Sequence, residues 1–168
     1  GVTIADGAGM ELLGISEKAS EKYAEIINKT ADALKDVKVY NIIVPSAGEF
    51  YAPESVKVSQ IKGIKAAYKR LDKKIMPINV YTALEEKADE YIFFRTDHHW
   101  TQRGAYYAYR EFANQKGMYL PPLDEFKTEK IYGYLGSFEA FAAGTPGAAM
   151  LAANPDEFEK FYVEIEEI

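Results

Sequence analysis

Apolar positions along the first hundred residues fall into two alternating spacings, and the alternation sketches a fold. "VTIADGAGMELLG" (residues 2–14) carries two short apolar stretches around Asp6-Gly7, a dipeptide suited to a two-residue turn, and predicts a hairpin. From Ser16, the residues Ala19, Tyr23, Ile26, Ile27, Thr30 and Leu34 recur at three- and four-residue steps with charged residues between them, which predicts a helix ending near Asp36. The spacing then collapses. "VKVYNIIVP" (37–45) is an almost unbroken β-branched run stopped by Pro45, the pattern of a strand buried on both faces. A second cycle predicts a helix over 59–73, a strand "MPINVY" (76–81) and a short helix "TALEEKA" (82–88). "EYIFF" (90–94) reads as a third strand, and "TQRGAYYAYREFANQKG" (101–117) as a helix with Thr101 as its N-cap and Gly117 as its stop.

Beyond Gly117 the cycle is lost. "YLPPLDEF", "GYLGSF" and the Ala/Gly-rich "AAGTPGAAMLAANP" read as loops, turns and a mobile flap, and "DEFEKFYVEIEEI" as a last edge strand. Alternating helices and buried strands predict an α/β fold with a mostly parallel sheet, in which ligands gather beyond the carboxyl ends of strands. Both "VPSAGEFY" and "RTDHHW" are placed at such ends.

Composition narrows the function classes. A chain of 168 residues fits one domain with a single core, and 48% hydrophobic content is too high for a disordered chain. The net charge of −6, without a dense Lys/Arg cluster, argues against nucleic acid as a partner. The absence of cysteine removes disulfides, thiolate nucleophiles and zinc-thiolate sites. No apolar run approaches the roughly 20 residues that span a bilayer, and no basic-then-apolar signal opens the chain. Because the chain begins with Gly1 rather than Met, it is expected to be a piece of a longer protein, with any signal or anchor elsewhere.

Candidate chemistry concentrates where both histidines stand together: Asp97, His98, His99 and the only tryptophan, Trp100. An Asp two residues before a His, past a strand, can turn its carboxylate back onto the imidazole. Held so at one nitrogen, the ring keeps one tautomer, and the imidazolium formed when the other nitrogen takes a proton is stabilised, as a general base requires. The helix starting at Thr101 places a positive dipole end nearby, which favours an ionised Asp97. Trp100 offers a broad apolar face for a sugar ring or acyl chain, or fills the core beneath that helix. Arg95, on the same side of the strand as Asp97, is a partner for its carboxylate, a grip on an acidic substrate, or one half of a surface ion pair. Asp97, His98 and His99 are also zinc- or iron-ligand types. Adjacent histidines are expected to point apart, however, and the chain has no third one, so neither metal nor cofactor is expected. The many tyrosines suggest a carbohydrate groove, although Tyr106 and Tyr107, adjacent on one helix, cannot both face it.

The stretch "FFRTDHHWTQRGAYYAYREFA" resembles the signature of the bacterial DHHW proteins and, more distantly, of the SGNH-like alginate O-acetyltransferases of the AlgJ and AlgX type. "GMELLG" and "IIVPSAGEFYAP" extend the resemblance over much of the chain. It implies a three-layer α/β/α, flavodoxin-like SGNH fold, incomplete at its C-terminal side. It implies that Asp97 and His99 are the acid and base of a Ser-His-Asp triad, with His98 in a variable slot. Trp100, Arg95, His98 and Ser46 are the candidate substrate contacts. In the alginate proteins the serine follows this motif in a Gly-(Asp/Thr)-Ser turn, and no such turn occurs before Ile168. Either the serine lies outside this chain or the activity has been lost. Ser46, just past a strand, would restore the serine-first order of ordinary SGNH hydrolases, and Ser137 in "GYLGSFEAF" has the flanking glycine of a tight turn. A structural turn is the competing reading of both. The implied function is O-acetyl transfer to, or ester hydrolysis on, a cell-surface polysaccharide. The implied setting is extracytoplasmic, with a membrane-bound acyl-donor protein as a possible partner. The alternative is a non-catalytic carbohydrate-binding or assembly module on the same scaffold.

Overall fold

The computed structural model describes residues 2–162. The N-terminal hairpin forms as the pattern predicts: β1 (Val2–Ala5) pairs antiparallel with β2 (Ala8–Glu11). Its turn residues Asp6 and Gly7 both take positive φ, 51° and 74°, the twist that matches flanking antiparallel strands.

Helix α1 (Glu17–Ala33) starts at Ser16, whose hydroxyl accepts from the Ala19 amide at 3.1 Å. It buries Ser20, Ala24 and Ala31, and Ser20 donates to the Gly63 carbonyl at 2.9 Å, which locks α1 to helix α3 (Ile61–Lys69). Strand β3 (Val39–Ile42) runs parallel to β4 (Ile75–Ile78). Neighbouring β3 residues point to opposite faces. Asn41 accordingly reaches the Tyr23 hydroxyl of α1 at 2.7 Å. Tyr40 meets Phe112 of α5 (Gln102–Lys116) edge-on, with ring centroids 5.2 Å apart. Helices therefore cover both faces of this pair. Two short helices, α2 (Ala47–Tyr51) and α4 (Tyr81–Glu85), follow β3 and β4. The main core gathers Met10, Ile78, Val80, Leu84, Ile92, Phe93 and Tyr107, with Trp100 packed against it.

Three expectations change. The strands among the described residues form three two-stranded sheets, and only β3–β4 is parallel, so the mostly parallel sheet reduces here to one pair in a mixed α/β fold. "EYIFF" is not a strand: the chain reverses after it, and only Phe93 and Trp100 bridge. Residues past 117 are more regular than loops. Strand β5 (Lys127–Tyr134) pairs antiparallel with β6 (Asp156–Tyr162), so the expected edge strand forms, and the expected flap folds as α6 (Ser137–Phe141) and α7 (Pro146–Ala152). Phe138, Ala142 and Leu151 bury a second small core against Val2 and Ile4. The end of the acidic tail, 163–168, lies outside the described residues. No helix among the described residues is long and apolar enough to cross a membrane.

Candidate active site

A single chain reversal presents the site. Thr101 donates its amide to the Ile92 carbonyl at 2.9 Å and its hydroxyl to the Tyr91 carbonyl at 2.7 Å, while the Phe94 amide reaches the His99 carbonyl at 3.2 Å. These bonds close a loop with Asp97, His98 and His99 near its tip. Thr101 also caps α5, accepting from the Gly104 amide at 3.3 Å. Gly104 is required there, because a Cβ would collide with the Ile92 carbonyl oxygen.

The loop is tied down from beneath by Asp156, which is buried and was not a candidate from sequence. Its carboxylate accepts from the Arg95 amide (2.7 Å), the Thr96 amide (2.8 Å), the Thr96 hydroxyl and the Tyr91 hydroxyl. Burial and that carboxylate push the Tyr91 hydroxyl's pKa up. Arg95 turns toward the same acid, its Nε 3.7 Å from Asp156 and its Nη2 donating to the Pro155 carbonyl at 2.5 Å. It therefore makes no pair with Asp97. It also lines a different cavity from the histidines, walled by Met10, Tyr51 and Phe94.

Asp97 is buried, and each oxygen has defined partners. Oδ1 accepts from the His99 amide at 2.9 Å and lies 2.6 Å from His99 Nδ1. Oδ2 accepts from the Ser137 amide at 2.9 Å and from the Tyr134 hydroxyl at 3.5 Å. Burial alone would raise the acid's pKa, but the Ser137 and His99 amides and the His99 ring outweigh it and hold it down at about 2. Backbone donors are the largest of the contacts that keep the acid ionised. An ionised Asp97 Oδ1 can accept a proton held on His99 Nδ1, the tautomer whose Nε2 is an acceptor. The His99 side chain is 65% exposed.

The two imidazoles do not point apart. Their centroids lie 3.8 Å from each other at 38°, and His98 Nδ1 is 2.7 Å from the Ser137 hydroxyl. Asp97, His98 and His99 also bring one ligating atom each within 4.8 Å of one another, the only such set among the described residues, but its carboxylate oxygen is already engaged by His99.

Both histidines line a cavity of about 360 Å³ together with the apolar Leu13, Ile15, Val44 and Trp100 and the polar Ser46 and Gln60. Three of the predicted substrate contacts, Ser46, His98 and Trp100, thus meet in one place with His99, and Arg95 does not. Trp100 both packs on the core and walls the cavity. Ser46 accepts from Gln60 Nε2 at 2.7 Å and donates to the Glu11 carbonyl at 3.3 Å, so its proton is directed at a backbone oxygen and not at a base. Gln60 is held in turn by buried Glu49, which accepts its amide at 2.5 Å and the Tyr81 hydroxyl at 2.8 Å. Sequence patterns hid Glu49 and Gln60, since both look like ordinary polar residues of exposed helix and loop.

A buried acid thus lies against an exposed imidazole beside a cavity, on a mixed α/β scaffold, and comparison with known proteins supplies the family. The family model described as "DHHW protein" matches residues 2–162, and the chain belongs to that family. A DHHW family protein from Eubacterium siraeum superposes with a TM-score of 0.84 at 32% identity, over 95% of this chain and 53% of that one. Bacillus cereus PatB1 gives 0.72 at 19% identity, over 95% of this chain and 57% of PatB1. The O-acetyltransferase domain of Pseudomonas putida AlgJ gives 0.65 at 19% identity, over 96% of this chain and 64% of that domain. This chain thus spans between about half and two thirds of those structures. No relative is found among curated proteins.

Proposed function

We propose that this chain carries the acid–base half of a serine-dependent O-acetyltransferase or esterase that acts on a cell-surface polysaccharide. The observation that carries the reading is the Asp97–His99 pair: a buried carboxylate 2.6 Å from one ring nitrogen, with the rest of the ring open beside a cavity. The fold shared with an O-acetyltransferase domain supports it. The β3–β4 pair, covered by helices on both faces, is read as part of a three-layer SGNH-like sheet completed by the rest of the protein.

In this mechanism a serine attacks the acyl carbonyl of the donor while His99 Nε2 takes its proton. Asp97 stabilises the imidazolium, which returns the proton to the leaving group. A glycan hydroxyl or water, deprotonated by the same nitrogen, then attacks the acyl-serine; the bond to the serine oxygen breaks, the imidazolium returns the proton to that oxygen, and the ester or acid is released. Trp100 offers a stacking face for the sugar. The serine belongs to a part of the protein beyond this chain, the setting is extracytoplasmic, and the donor is a membrane-bound protein. A second reading, a non-catalytic carbohydrate-binding module, draws support from His99 itself, since no hydroxyl contacts its ring among the described residues.

An acetyl-ester hydrolysis and transfer assay on the full-length protein separates the two. Under the first reading, His99→Ala and Asp97→Asn each lower kcat by roughly a hundredfold or more, with folding retained. Equal turnover in wild type and both variants overturns the triad. Absence of turnover combined with glycan binding favours the module.

A further inference from the structure

We infer that Ser137 is a second nucleophile, activated by His98 and able to accept an acyl group from a small O-acyl ester. The inference stands on the Ser137–His98 geometry and not on the Asp97–His99 reading. A serine hydroxyl and an imidazole nitrogen within hydrogen-bond reach are the minimal elements of an activated nucleophile. Ser137 Oγ lies 2.7 Å from His98 Nδ1. Among the described residues it is the only serine hydroxyl hydrogen-bonded to a histidine; Ser46, the competing serine of this region, gives its proton to a backbone carbonyl.

The placement is rigid. Three successive amides clamp the turn onto the motif loop: Gly136 to the Thr96 hydroxyl (2.8 Å), Ser137 to Asp97 Oδ2 (2.9 Å) and Phe138 to the Thr96 carbonyl (2.8 Å). A Cβ at Gly136 would collide with the Asp97 side chain, so only glycine lets the turn approach this closely. Phe138, 1% exposed, anchors the next residue in the second core. The turn that carries Ser137 is therefore prepositioned, with His98 Nδ1 within hydrogen-bond reach of its hydroxyl. His98 is exposed and borders the 360 Å³ cavity, and Ser137, half-buried, stands on the far side of that ring.

The step balances without another reagent. Ser137 Oγ bonds to the ester carbonyl carbon as its proton passes to His98 Nδ1. The carbon–oxygen bond to the leaving alcohol then breaks, and His98 returns the proton to that alcohol. The products are acyl-Ser137 and a free alcohol.

A fluorophosphonate probe traps the same attack irreversibly: the serine oxygen bonds to phosphorus, fluoride leaves, and His98 takes the proton. The full-length protein is treated with the probe, digested and mapped by peptide mass spectrometry. An adduct on the Ser137 peptide is expected. Its rate of formation is expected to fall by about a hundredfold in His98→Ala and to recover when free imidazole is added, a response that a merely structural histidine would not show. An adduct on other serines with none on Ser137, in the unmutated protein, overturns the inference; so does labelling of Ser137 at an unchanged rate in folded His98→Ala. Because the peptide is identified directly, a labelled Ser137 stands even if the Asp97 and His99 variants keep full turnover, and an unlabelled Ser137 leaves the triad assay unaffected.

Discussion

Two buried carboxylates serve the same loop in opposite ways. Asp156 lies beneath it, and its acceptors are engaged by two backbone amides and two hydroxyls, so nothing about it faces outward. Asp97 lies at the tip; it also takes two amides, but its Oδ1 is shared with an imidazole that is mostly exposed. The first only fastens the loop; the second also holds the ring that, under the proposed function, exchanges protons. The contrast teaches that burial and hydrogen bonding alone do not mark a functional acid. What marks it is a partner that can exchange protons with something outside the protein.

The harshest way to break the comparison is to remove the fastener. Asp156→Ala leaves the amides of Arg95 and Thr96 and the hydroxyls of Thr96 and Tyr91 without their acceptor in the interior, and it strands the Arg95 guanidinium. A loss of about 3 kcal/mol or more is expected, read from the denaturant midpoint. If Asp156→Ala instead unfolds at the wild-type midpoint, the carboxylate is no fastener and the contrast fails.

The two acids also differ in how far sequence disclosed them. Asp97 and His99 were legible because their relation is local: two residues apart, before a capped helix, they can meet only through one turn. The hairpin at Asp6-Gly7, α1 and α5 were legible for the same reason, each carrying its turn, cap or periodicity within a short window. Asp156 was not, because it acts on residues about sixty positions away, and no local pattern encodes that distance. "EYIFF" misled because an apolar aromatic run reports burial and not pairing: Ile92, Phe93 and Phe94 are buried, but the chain turns back before a partner strand is met. The β5 strand was missed for the converse reason, since "KTEKIYGY" is exposed along its whole length and shows no apolar face. Ser137 stood out only for its glycine, whereas its amide proves to be a main support of Asp97.

A milder change sharpens the comparison at the tip. The Asp97 carboxyl is lowered from an ordinary 3.8 to about 2 in the folded protein. A depressed folded-state pKa means that the unfolded chain binds the proton more readily. The stabilisation is therefore complete above about pH 4 and lost as pH falls through about 2. Its size is of the order of 2 kcal/mol. Asp97→Asn is expected to be less stable than wild type by about that amount at pH 7, with the gap closing between pH 4 and 2 in urea titrations. A gap that stays constant across this range would mean that the acid is not ionised by its surroundings.

The smallest effect is the most discriminating. Because the His99 ring is mostly exposed, His99→Ala is expected to change stability by less than about 1 kcal/mol. The consequence for Asp97 depends on what keeps it ionised. The amides of Ser137 and of residue 99 are present in the variant as in the wild type, and they act on the carboxylate more strongly than the imidazole does. Asp97 should then still titrate well below 3.8 when its side-chain carbon is followed by NMR against pH. A return to the ordinary value would show that the imidazole alone sustained the charge, making Asp97 the dependent member of an ion pair. A value that stays low shows an acid ionised by the backbone before any base is present, which is the condition for it to orient His99 through a full cycle of protonation and release.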